Sequence, residues 1–324
     1  MDRFVELKNL SKQFHGSGLL TQQRGGTLAV DRVSFGIEKD TVFGLVGESG
    51  CGKTTLARAL LYLEAPSSGE IWFDGTLLGD LGTRDLRRFR RRMQIVFQDP
   101  NSALNPKMNI LHSLEEGLIN LGVAKDARRR RITELLELVG ISPSNVERYP
   151  HEFSGGQKQR IVVARALSMN PEFLVLDEPV SNLDVSIQAQ IINLLLDLKN
   201  EFSLTYLFIS HDLHLVAYLS DRIAVMYQGR IVELAPTDEL IQRPLHPYTI
   251  KLFSSVPGIR GGILKQEQAA VSAVQAKAAS TGTGCPYYEQ CSRGDFACLQ
   301  EEPQLEDAGS GHLVACLKIK GDLP

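Results

Sequence analysis

The feature that most constrains the fold is the segment at residues 41–63, TVFGLVGESGCGKTTLARALLYL. Residues 41–46 form a short apolar, β-branched run of the kind that makes a buried strand. Three glycines follow, at positions 47, 50 and 52, and from Leu56 the leucine spacing becomes helical. A strand, a glycine-rich loop and a helix in this order give the GxxxxGK[ST] pattern its required context. We therefore predict a doubly wound α/β core with a phosphate-binding loop.

The residue types of this loop suit the binding of a nucleoside triphosphate. Glycines allow backbone amides to point into a concave loop around phosphate oxygens, and the helix N-terminus adds partial positive charge. We expect Lys53 to reach the β- and γ-phosphates of ATP and the Thr54 hydroxyl to bind Mg²⁺. Cys51 is interpreted as a small filler, and a chance glycine-rich turn is the disfavoured alternative. The predicted nucleotide-binding residues of the loop are Gly47, Glu48, Ser49, Gly50, Cys51, Gly52, Lys53, Thr54 and Thr55.

Further strand-like runs end in polar residues that suit hydrolysis. Residues 173–176 are apolar and are followed by Asp177 and Glu178. A carboxylate at the end of a core strand can hold magnesium through water, and its neighbour can polarise the attacking water as a general base. Another such run leads to His211, and a third leads to Gln98, which could reach the metal. Taken alone, such a histidine is more often structural and such a glutamine more often an exposed loop residue.

A second glycine-rich helix start lies in the segment HEFSGGQKQRIVVARAL. Ser154 stands in an N-cap position and is followed by Gly155, Gly156 and Gln157, which gives another helix N-terminus suited to an anion. One nucleotide loop does not need a second. We therefore interpret this helix start as contacting the nucleotide of another subunit.

This set of motifs, in this order, resembles the ATPase subunits of ABC transporters over about residues 3–250. The glycine-rich loop resembles Walker A, Gln98 the Q-loop, SGGQK the signature, FLVLDE Walker B, SNLD the D-loop, and His211 the switch histidine. Phe153 departs from the family's usual leucine, and the adenine-stacking aromatic, usually tyrosine, is placed at Phe14. The resemblance implies a P-loop NTPase core with an antiparallel β subdomain and a helical subdomain.

The resemblance also implies a division of roles. Two ATPase subunits would close head to tail around two ATP molecules and drive membrane subunits. Thr54, Gln98 and Asp177 would hold Mg²⁺, with Glu178 activating water and His211 contacting the γ-phosphate as the catalytic pair. The residues that would complete the partner's site or couple the two halves are Ser154, Gly155, Gly156, Gln157 and Asp184.

Three segments resemble the dipeptide/oligopeptide importer group, namely QDPNSALNPKMNI, RYPHEFSGGQKQR and HPYTIKLFSSVP. An insertion after Phe14 favours the second of that group's two ATPase subunits, so we expect a heterodimer with another ATPase subunit. Two integral membrane permease subunits and, indirectly, a solute-binding protein are the further partners implied. The group includes importers of nickel and other small solutes, so that alternative stays open. A soluble ABC ATPase of translation or DNA repair is disfavoured, since neither a second ATPase unit nor a long coiled-coil insertion is apparent.

Composition bears on the class of protein, on its location and on the domain boundaries. The chain has 324 residues, 43% of them apolar, and a net charge of −3, which does not indicate nucleic-acid binding. No stretch approaches the roughly 20 apolar residues of a membrane span, so any membrane role must come through partners. The resemblance implies a peripheral protein on the cytoplasmic face of the inner cell membrane. The predicted parts are an ATPase domain at 1–257 with its helical subdomain at about 85–168, a linker at 258–284, and a small cysteine-rich extension at 285–324.

The extension holds four of the five cysteines, at positions 285, 291, 298 and 316. Four thiolates can bind structural zinc or an iron–sulfur cluster. The absence of a CxxC pair disfavours zinc, and a cytosolic setting disfavours disulfides. Peptide-importer ATPases often end in a similar set that binds a [4Fe–4S] cluster, so the resemblance implies such a cluster, with Zn²⁺ as the alternative. The predicted ligands are Cys285, Cys291, Cys298 and Cys316.

Overall fold

The computed structural model describes residues 3–14, 26–254 and 284–319. The chain divides into two compact units, each described here by itself. The first is formed mainly by Gly75–Ile209, and the second by Val5–Ile37, Val42–Asp74 and Ser210–Pro324. No helix among the described residues combines the length and apolar composition needed to cross a membrane. The predicted linker at 258–284 lies outside the described residues except for Gly284.

Strands and helices alternate in the order expected for an α/β protein. The strands are β1 Val5–Phe14, β2 Thr27–Ile37, β3 Val42–Val46, β4 Ser68–Phe73, β5 Thr76–Leu77, β6 Met93–Val96, β7 Phe173–Asp177, β8 Thr205–Ile209, β9 Arg222–Tyr227, β10 Arg230–Pro236, β11 Glu306–Asp307 and β12 Leu313–Val314. The helices, numbered here without the 3₁₀ turns, are α1 Lys53–Leu60, α2 Thr83–Arg92, α3 Pro100–Ala103, α4 Ile110–Asn120, α5 Lys125–Leu138, α6 Gly155–Leu167, α7 Val185–Phe202, α8 Leu213–Leu219, α9 Thr237–Gln242, α10 Pro247–Ser254 and α11 Phe296–Gln300.

The first unit is built on three parallel strands in the order β8–β7–β6. Every residue of β7 and β8 is buried, as the continuous apolar runs predict for strands covered on both faces. Val96 pairs with Leu176, and Asp177 pairs with Ile209. Because the strands are parallel, the residues that follow β6 and β7 emerge at the same edge of the sheet.

Helices α4, α5 and α6 pack on one another in the same unit. Leu114, Leu135 and Ile161 are fully buried and lie on the apolar faces of the three helices. Side-chain caps fix where two of them begin. Asn109 accepts the amide of His112 at the start of α4, and Ser154 does the same for Gln157 at the start of α6. The predicted helical region is therefore helix-rich, although it also includes β6.

The second unit contains an antiparallel arrangement and a mixed one. Strands β2, β1 and β4 pair in that order and are antiparallel, as expected for the antiparallel β subdomain that the resemblance implies. The other strands lie in the order β11–β12–β10–β9–β3, with a parallel pairing between β9 and β3. Strand β3 ends at Val46. The glycine-rich loop therefore leaves the carboxyl end of a fully buried strand.

The cysteine-bearing segment, 284–319, belongs to this second unit. Strand β12 pairs with β10, placing Leu313 opposite Leu234. The His312 Nε2 atom lies 2.7 Å from the Glu233 Oε1 atom, and both side chains are buried. An independent cysteine-rich module is thus not confirmed, since the segment extends the sheet that carries the nucleotide loop.

Candidate functional site

The loop between β3 and α1 is shaped by glycines whose positions allow no side chain. A Cβ atom at Gly47 would lie 2.2 Å from the Met226 carbonyl oxygen, and one at Gly52 would lie 2.2 Å from that of Ala29. Gly52 is also the N-cap of α1, with φ 110°, and no side chain caps the helix. The partial positive charge at the start of α1 is therefore not offset by a side-chain cap, which suits an anionic ligand.

Lys53 is buried, with 6% of its surface exposed. Its ammonium group donates to the carbonyl oxygens of Gly47 at 2.7 Å and Glu48 at 2.9 Å. Among the described residues Lys53 forms no salt bridge. Its ammonium group also lies 3.8 Å from the Cys51 Sγ atom. A buried cation whose partners are all neutral fits an anionic ligand, because a phosphate would supply the missing counter-charge.

The other residues of the loop divide by exposure. Glu48, Ser49, Gly50 and Thr54 are exposed and Thr55 is half-buried. Cys51 is buried, its carbonyl accepts the Gly229 amide at 2.8 Å, and burial raises the pKa of its thiol. A neutral, buried thiol agrees with the interpretation of Cys51 as a filler.

Phe14 and His211 lie in the same unit as the loop. Phe14 is the last residue of β1, its ring is exposed, and the Lys12 ammonium lies 5.3 Å from the ring centroid. An exposed ring fits the predicted stacking platform, since a free face is what a base requires. His211 is exposed and stands just before Asp212, the N-cap of α8.

In the first unit, Gln98 and Glu178 meet at the carboxyl edge of the sheet. The Gln98 amide donates to the Glu178 carboxylate at 3.1 Å and to the Ser181 hydroxyl at 3.2 Å. Asp177, the last residue of β7, is buried and directly precedes Glu178 in the sequence. The glutamine thus orients Glu178, which the motif pattern alone did not predict.

Glu178 has an unusual backbone conformation. Its φ is 49°, in the left-handed region that residues with a Cβ seldom adopt, and its amide donates to the Ile209 carbonyl at 2.9 Å. Strain of this kind costs about 1–3 kcal/mol and clusters at functional sites. The conformation turns the chain sharply at the end of β7, so that the carboxylate lies beside Gln98.

The SGGQ segment begins α6 in a different manner from the first loop. The Gln157 amide donates to the Ser154 hydroxyl at 3.3 Å, and the Ser154 amide donates to the Gln157 side chain at 3.0 Å, which completes a capping box. A Cβ at Gly156 would lie 2.6 Å from a methyl carbon of Ile187. Ser154, Gly155 and Gln157 are exposed, so the segment presents a surface rather than an enclosed site.

Asp184 caps the N-terminus of α7, where its carboxylate accepts the Ile187 amide at 3.0 Å. The next residue, Val185, leaves 80% of its surface exposed. Asp184 and Val185 are therefore both exposed at the start of α7.

The four C-terminal cysteines lie near one another, but they do not form a ready metal site. All are free thiols, and the Cys285 amide donates to the Cys298 carbonyl at 2.8 Å. Burial, and then the nearby thiols of Cys291, Cys298 and Cys316, raise the pKa of Cys285 to about 11. In the described part of the chain no group of three or more His, Cys, Asp or Glu side chains is arranged to hold a metal ion. The predicted iron–sulfur or zinc site is therefore not supported by this geometry.

Two residues that contact the predicted site were not predicted from the sequence to have a role there. Ser181, within the SNLD segment, accepts from Gln98, and Tyr248, within HPYTIKLF, accepts the Glu48 amide at 3.0 Å. Burial raises the pKa of Tyr248 well above its usual range, so its hydroxyl is neutral at physiological pH. The sequence offered only the family-like segments that contain them, because both contacts depend on the tertiary fold.

Comparison with known families identifies the chain. A family model described as "ABC transporter" matches residues 30–181. A second, described as "Oligopeptide/dipeptide transporter, C-terminal region", matches residues 232–298. The oligopeptide transport ATP-binding protein AppF of Bacillus subtilis is 44% identical over 320 residues, covering 97% of each chain. This chain belongs to the ABC transporter ATPases.

Other ABC ATPases give the same assignment. The oligopeptide transport ATP-binding protein OppF of Bacillus subtilis is 50% identical over 259 residues, covering 79% of this chain and 83% of OppF. A dimeric ATP-binding cassette solved in a post-hydrolysis state with ADP and Pi has a TM-score of 0.64 at 28% identity, covering 72% of this chain and 98% of that one. The protein cbiO1 of Clostridium perfringens, part of an ABC transporter complex, has a TM-score of 0.65 at 28% identity, covering 75% and 92%. The α/β core is thus the cassette fold of ATP-hydrolysing proteins.

Proposed function

We propose that this ABC ATPase is the ATP-hydrolysing motor subunit of a membrane importer of dipeptides or oligopeptides. The observation that supports the peptide assignment most directly is the match of residues 232–298 to the C-terminal region of oligopeptide/dipeptide transporters. This region includes α10 and three of the four C-terminal cysteines. Two relatives that match most of the chain are named oligopeptide transport ATP-binding proteins.

The first loop is proposed to bind the phosphates of ATP. Lys53 would exchange its two carbonyl acceptors for phosphate oxygens, which is favourable because the ammonium gains a counter-charge. The amides of the loop and of the start of α1 would surround the remaining oxygens. Phe14 would stack on the base. The loop residues proposed to take part are Gly47, Glu48, Ser49, Gly50, Cys51, Gly52, Lys53, Thr54 and Thr55.

Hydrolysis is proposed to use Glu178 as the general base. Gln98 donates to its carboxylate, and the Ser181 hydroxyl accepts from Gln98 and donates to the Glu178 carbonyl oxygen. His211 is assigned to the γ-phosphate. Thr54, Gln98 and Asp177 offer hydroxyl, amide and carboxylate oxygens, the donor types that Mg²⁺ prefers, so they are the proposed ligands. The ion, when bound, would neutralise charge on the phosphates.

The SGGQ surface is proposed to complete the ATP site of a second ATPase subunit. Ser154, Gly155 and Gln157 are exposed together, and the apolar Val185 lies exposed beside Asp184. We propose that the two subunits form a heterodimer. The proposed parts of this chain are the ATPase domain at 1–257, its helical subdomain at about 85–168 and the extension at 285–324. The similar cassette was solved as a dimer.

The further partners proposed are two integral membrane permease subunits and, through them, a solute-binding protein. The ATPase would sit peripherally on the cytoplasmic face of the inner membrane. Co-purification from membranes with two permeases tests this arrangement. Recovery of the chain only with ribosomes or DNA would contradict it.

Glu178→Gln tests the ATPase part of the proposal. Removing a general base costs about 10²–10⁴-fold in rate, so turnover by the assembled transporter should fall by at least a hundredfold while ATP binding is retained. Glu201→Gln, at an exposed position near the end of α7, is the matched control and should leave turnover unchanged. Undiminished turnover in Glu178→Gln would refute the assigned base.

The solute is tested by uptake. Proteoliposomes containing both ATPases, both permeases and the binding protein should accumulate labelled dipeptides or oligopeptides in the presence of ATP, and Glu178→Gln should abolish the accumulation. Uptake of nickel without uptake of peptides would replace the peptide assignment and leave the ATPase assignment intact.

We also propose that Cys285, Cys291, Cys298 and Cys316 bind a [4Fe–4S] cluster. The support is that the Cys285 thiol lies near those of Cys291, Cys298 and Cys316. A cluster would bind the four sulfurs as thiolates. Anaerobic purification should give a brown protein with absorbance near 400 nm and about four iron atoms per chain. Colourless protein with one zinc per chain would refute the cluster.

A further inference from the structure

We propose that Tyr248 is a positioning residue for the nucleotide loop, and that Tyr287 of the C-terminal segment holds Tyr248 in place. The inference rests on the proposed ATPase function and names a support of that same site. It assigns to the C-terminal segment a part in ATP binding.

The contact between Tyr248 and the loop is direct. The Glu48 amide donates to the Tyr248 hydroxyl at 3.0 Å. Tyr248 is 1% exposed, so its ring has no freedom to follow a moving loop. Its own amide donates to the His246 Nδ1 atom at 3.1 Å, and the His246 amide donates to the Glu233 carboxylate at 3.0 Å. The start of α10 is thereby tied to strand β10, and the hydroxyl is held at a fixed point.

This bond complements the bonds that Lys53 makes. The lysine holds the carbonyls of Gly47 and Glu48 at 2.7 and 2.9 Å, whereas the tyrosine holds the amide of Glu48. When Lys53 donates to a phosphate, its hold on these carbonyls weakens. The tyrosine bond does not involve the lysine, so it continues to hold this part of the loop when ATP is bound. Preorganisation of this kind raises affinity, because less of the loop must be ordered on binding.

The position of Tyr248 depends in turn on the C-terminal segment. The Tyr287 ring lies 5.5 Å from that of Tyr248 and 5.2 Å from that of Tyr227, and the Tyr227 and Tyr248 rings are 4.6 Å apart. Each pair lies within the range of favourable aromatic contacts. Gln290 adds a link, since its amide donates to the Tyr227 hydroxyl at 3.3 Å. Removing the Tyr287 side chain would remove one of the three packed rings, so Tyr248 would lose part of its support.

A purely structural role for Tyr248 would predict a different set of results. Tyr206 serves as the comparison, because its buried hydroxyl also makes one bond to the backbone, to the Leu195 carbonyl at 2.9 Å in the first unit. Tyr206→Phe and Tyr248→Phe each delete one hydroxyl and leave the ring. They should therefore lower the unfolding temperature to a similar degree.

ATP binding separates the two tyrosines. In the full-length chain, Tyr248→Phe should weaken ATP binding by about three- to tenfold, the range expected for one hydrogen bond, while Tyr206→Phe should leave it unchanged. In the assembled transporter at saturating ATP, the turnover of Tyr248→Phe should stay within about twofold of wild type, since the tyrosine acts through the Glu48 amide of the loop. The effect should thus appear in KM and not in kcat.

Tyr287→Leu provides the second test, because it leaves the Tyr248 hydroxyl in the chain. It should also weaken ATP binding, and the double variant should lose less than the product of the two single losses, since both act through one contact. Unchanged ATP affinity in Tyr248→Phe and Tyr287→Leu, or an equal loss in Tyr206→Phe, would overturn the inference alone. A wild-type chain that does not bind ATP would overturn the proposed function as well.

Discussion

The molecule has two glycine-rich helix starts that look alike in sequence and differ in structure. At the first, GESGCGKTT, the glycines have positive φ or lie against carbonyl oxygens, and α1 begins without a side-chain cap. At the second, SGGQ, α6 is already capped by Ser154 and Gln157. Gly156 is required there for packing against Ile187 rather than for backbone conformation.

The difference indicates what each helix start can do. The first has no side-chain cap and places a buried lysine among neutral partners, so its own residues suit a phosphate ligand. The second has its amides partly satisfied by its own residues, and its exposed face is proposed to complete the ATP site of a second subunit. Similar composition therefore predicts a binding loop in one case and half of an interface in the other.

The largest effect is expected for Gly52→Ala in the first helix start. The new methyl would lie 2.2 Å from the Ala29 carbonyl oxygen, so the loop must move, and a displacement of about 1 Å can cost a hundredfold. We expect ATP affinity, measured by titration, to fall by at least that factor. Gly50→Ala is the control, since a Cβ there meets nothing within 4 Å and the φ of 80° adds only about 1–2 kcal/mol. Equal losses in both variants would remove the steric argument.

The second helix start should respond in stability rather than in ATP binding. Gly156→Ala overpacks the contact with Ile187, and overpacking costs about 1–3 kcal/mol in unfolding free energy. Chemical denaturation should show this loss and a partial recovery on adding Ile187→Ala. Gly155→Ala is the matched control, because its Cβ would meet Leu183 at an ordinary 3.5 Å. Reduced ATP affinity of isolated Gly156→Ala at a temperature where it is folded would contradict the contrast.

Acid should weaken the support of the first helix start. Burial lowers the pKa of His246 to about 3, whereas the unfolded chain has a pKa near 6.5. Below pH 6.5 the unfolded state binds a proton that the folded state does not, so stability falls as the pH falls. Between pH 6.5 and 5.0 the loss should reach about 2 kcal/mol. His246→Gln should flatten this dependence in denaturant titrations, and an identical dependence in the variant would exclude His246 as its source.

The smallest effect separates capping from function at Ser154. Ser154→Ala and Asn109→Ala each remove one N-cap hydrogen bond, so each should cost about 1 kcal/mol of stability. Turnover of the assembled transporter should fall only in Ser154→Ala, because Asn109 caps a helix outside the proposed interface. Equal turnover in the two variants would reduce Ser154 to a cap.

The sequence predicted those parts of the site that the backbone and local order determine. Strand β3, the glycine loop and α1 follow from local pattern, and Asp177 and Glu178 end a strand as expected. The contact of Gln98 with Glu178 spans 80 positions, and that of Glu48 with Tyr248 spans 200. Such contacts depend on the sheet order and on packing, which periodicity and motifs do not specify.

At the four C-terminal cysteines, the sequence predicted more than the structure shows. Four cysteines within 32 positions predicted a metal site, yet in the described residues their thiols do not form a group arranged to bind a metal. The geometry of metal-binding thiols depends on the bound ion, which the number and spacing of cysteines do not specify. A loop made of glycines and amides, by contrast, has its shape without a ligand.

The most direct test of the account is the ATP turnover of the assembled transporter with Gly155→Glu in this chain. The substitution places a carboxylate at the exposed start of α6, where the account puts the triphosphate of the partner subunit. The isolated variant should bind ATP as tightly as wild type, because its own nucleotide loop is intact. We predict that turnover falls at least tenfold, because the new carboxylate repels the triphosphate. Turnover equal to wild type would contradict the claim that the second helix start completes another subunit's ATP site.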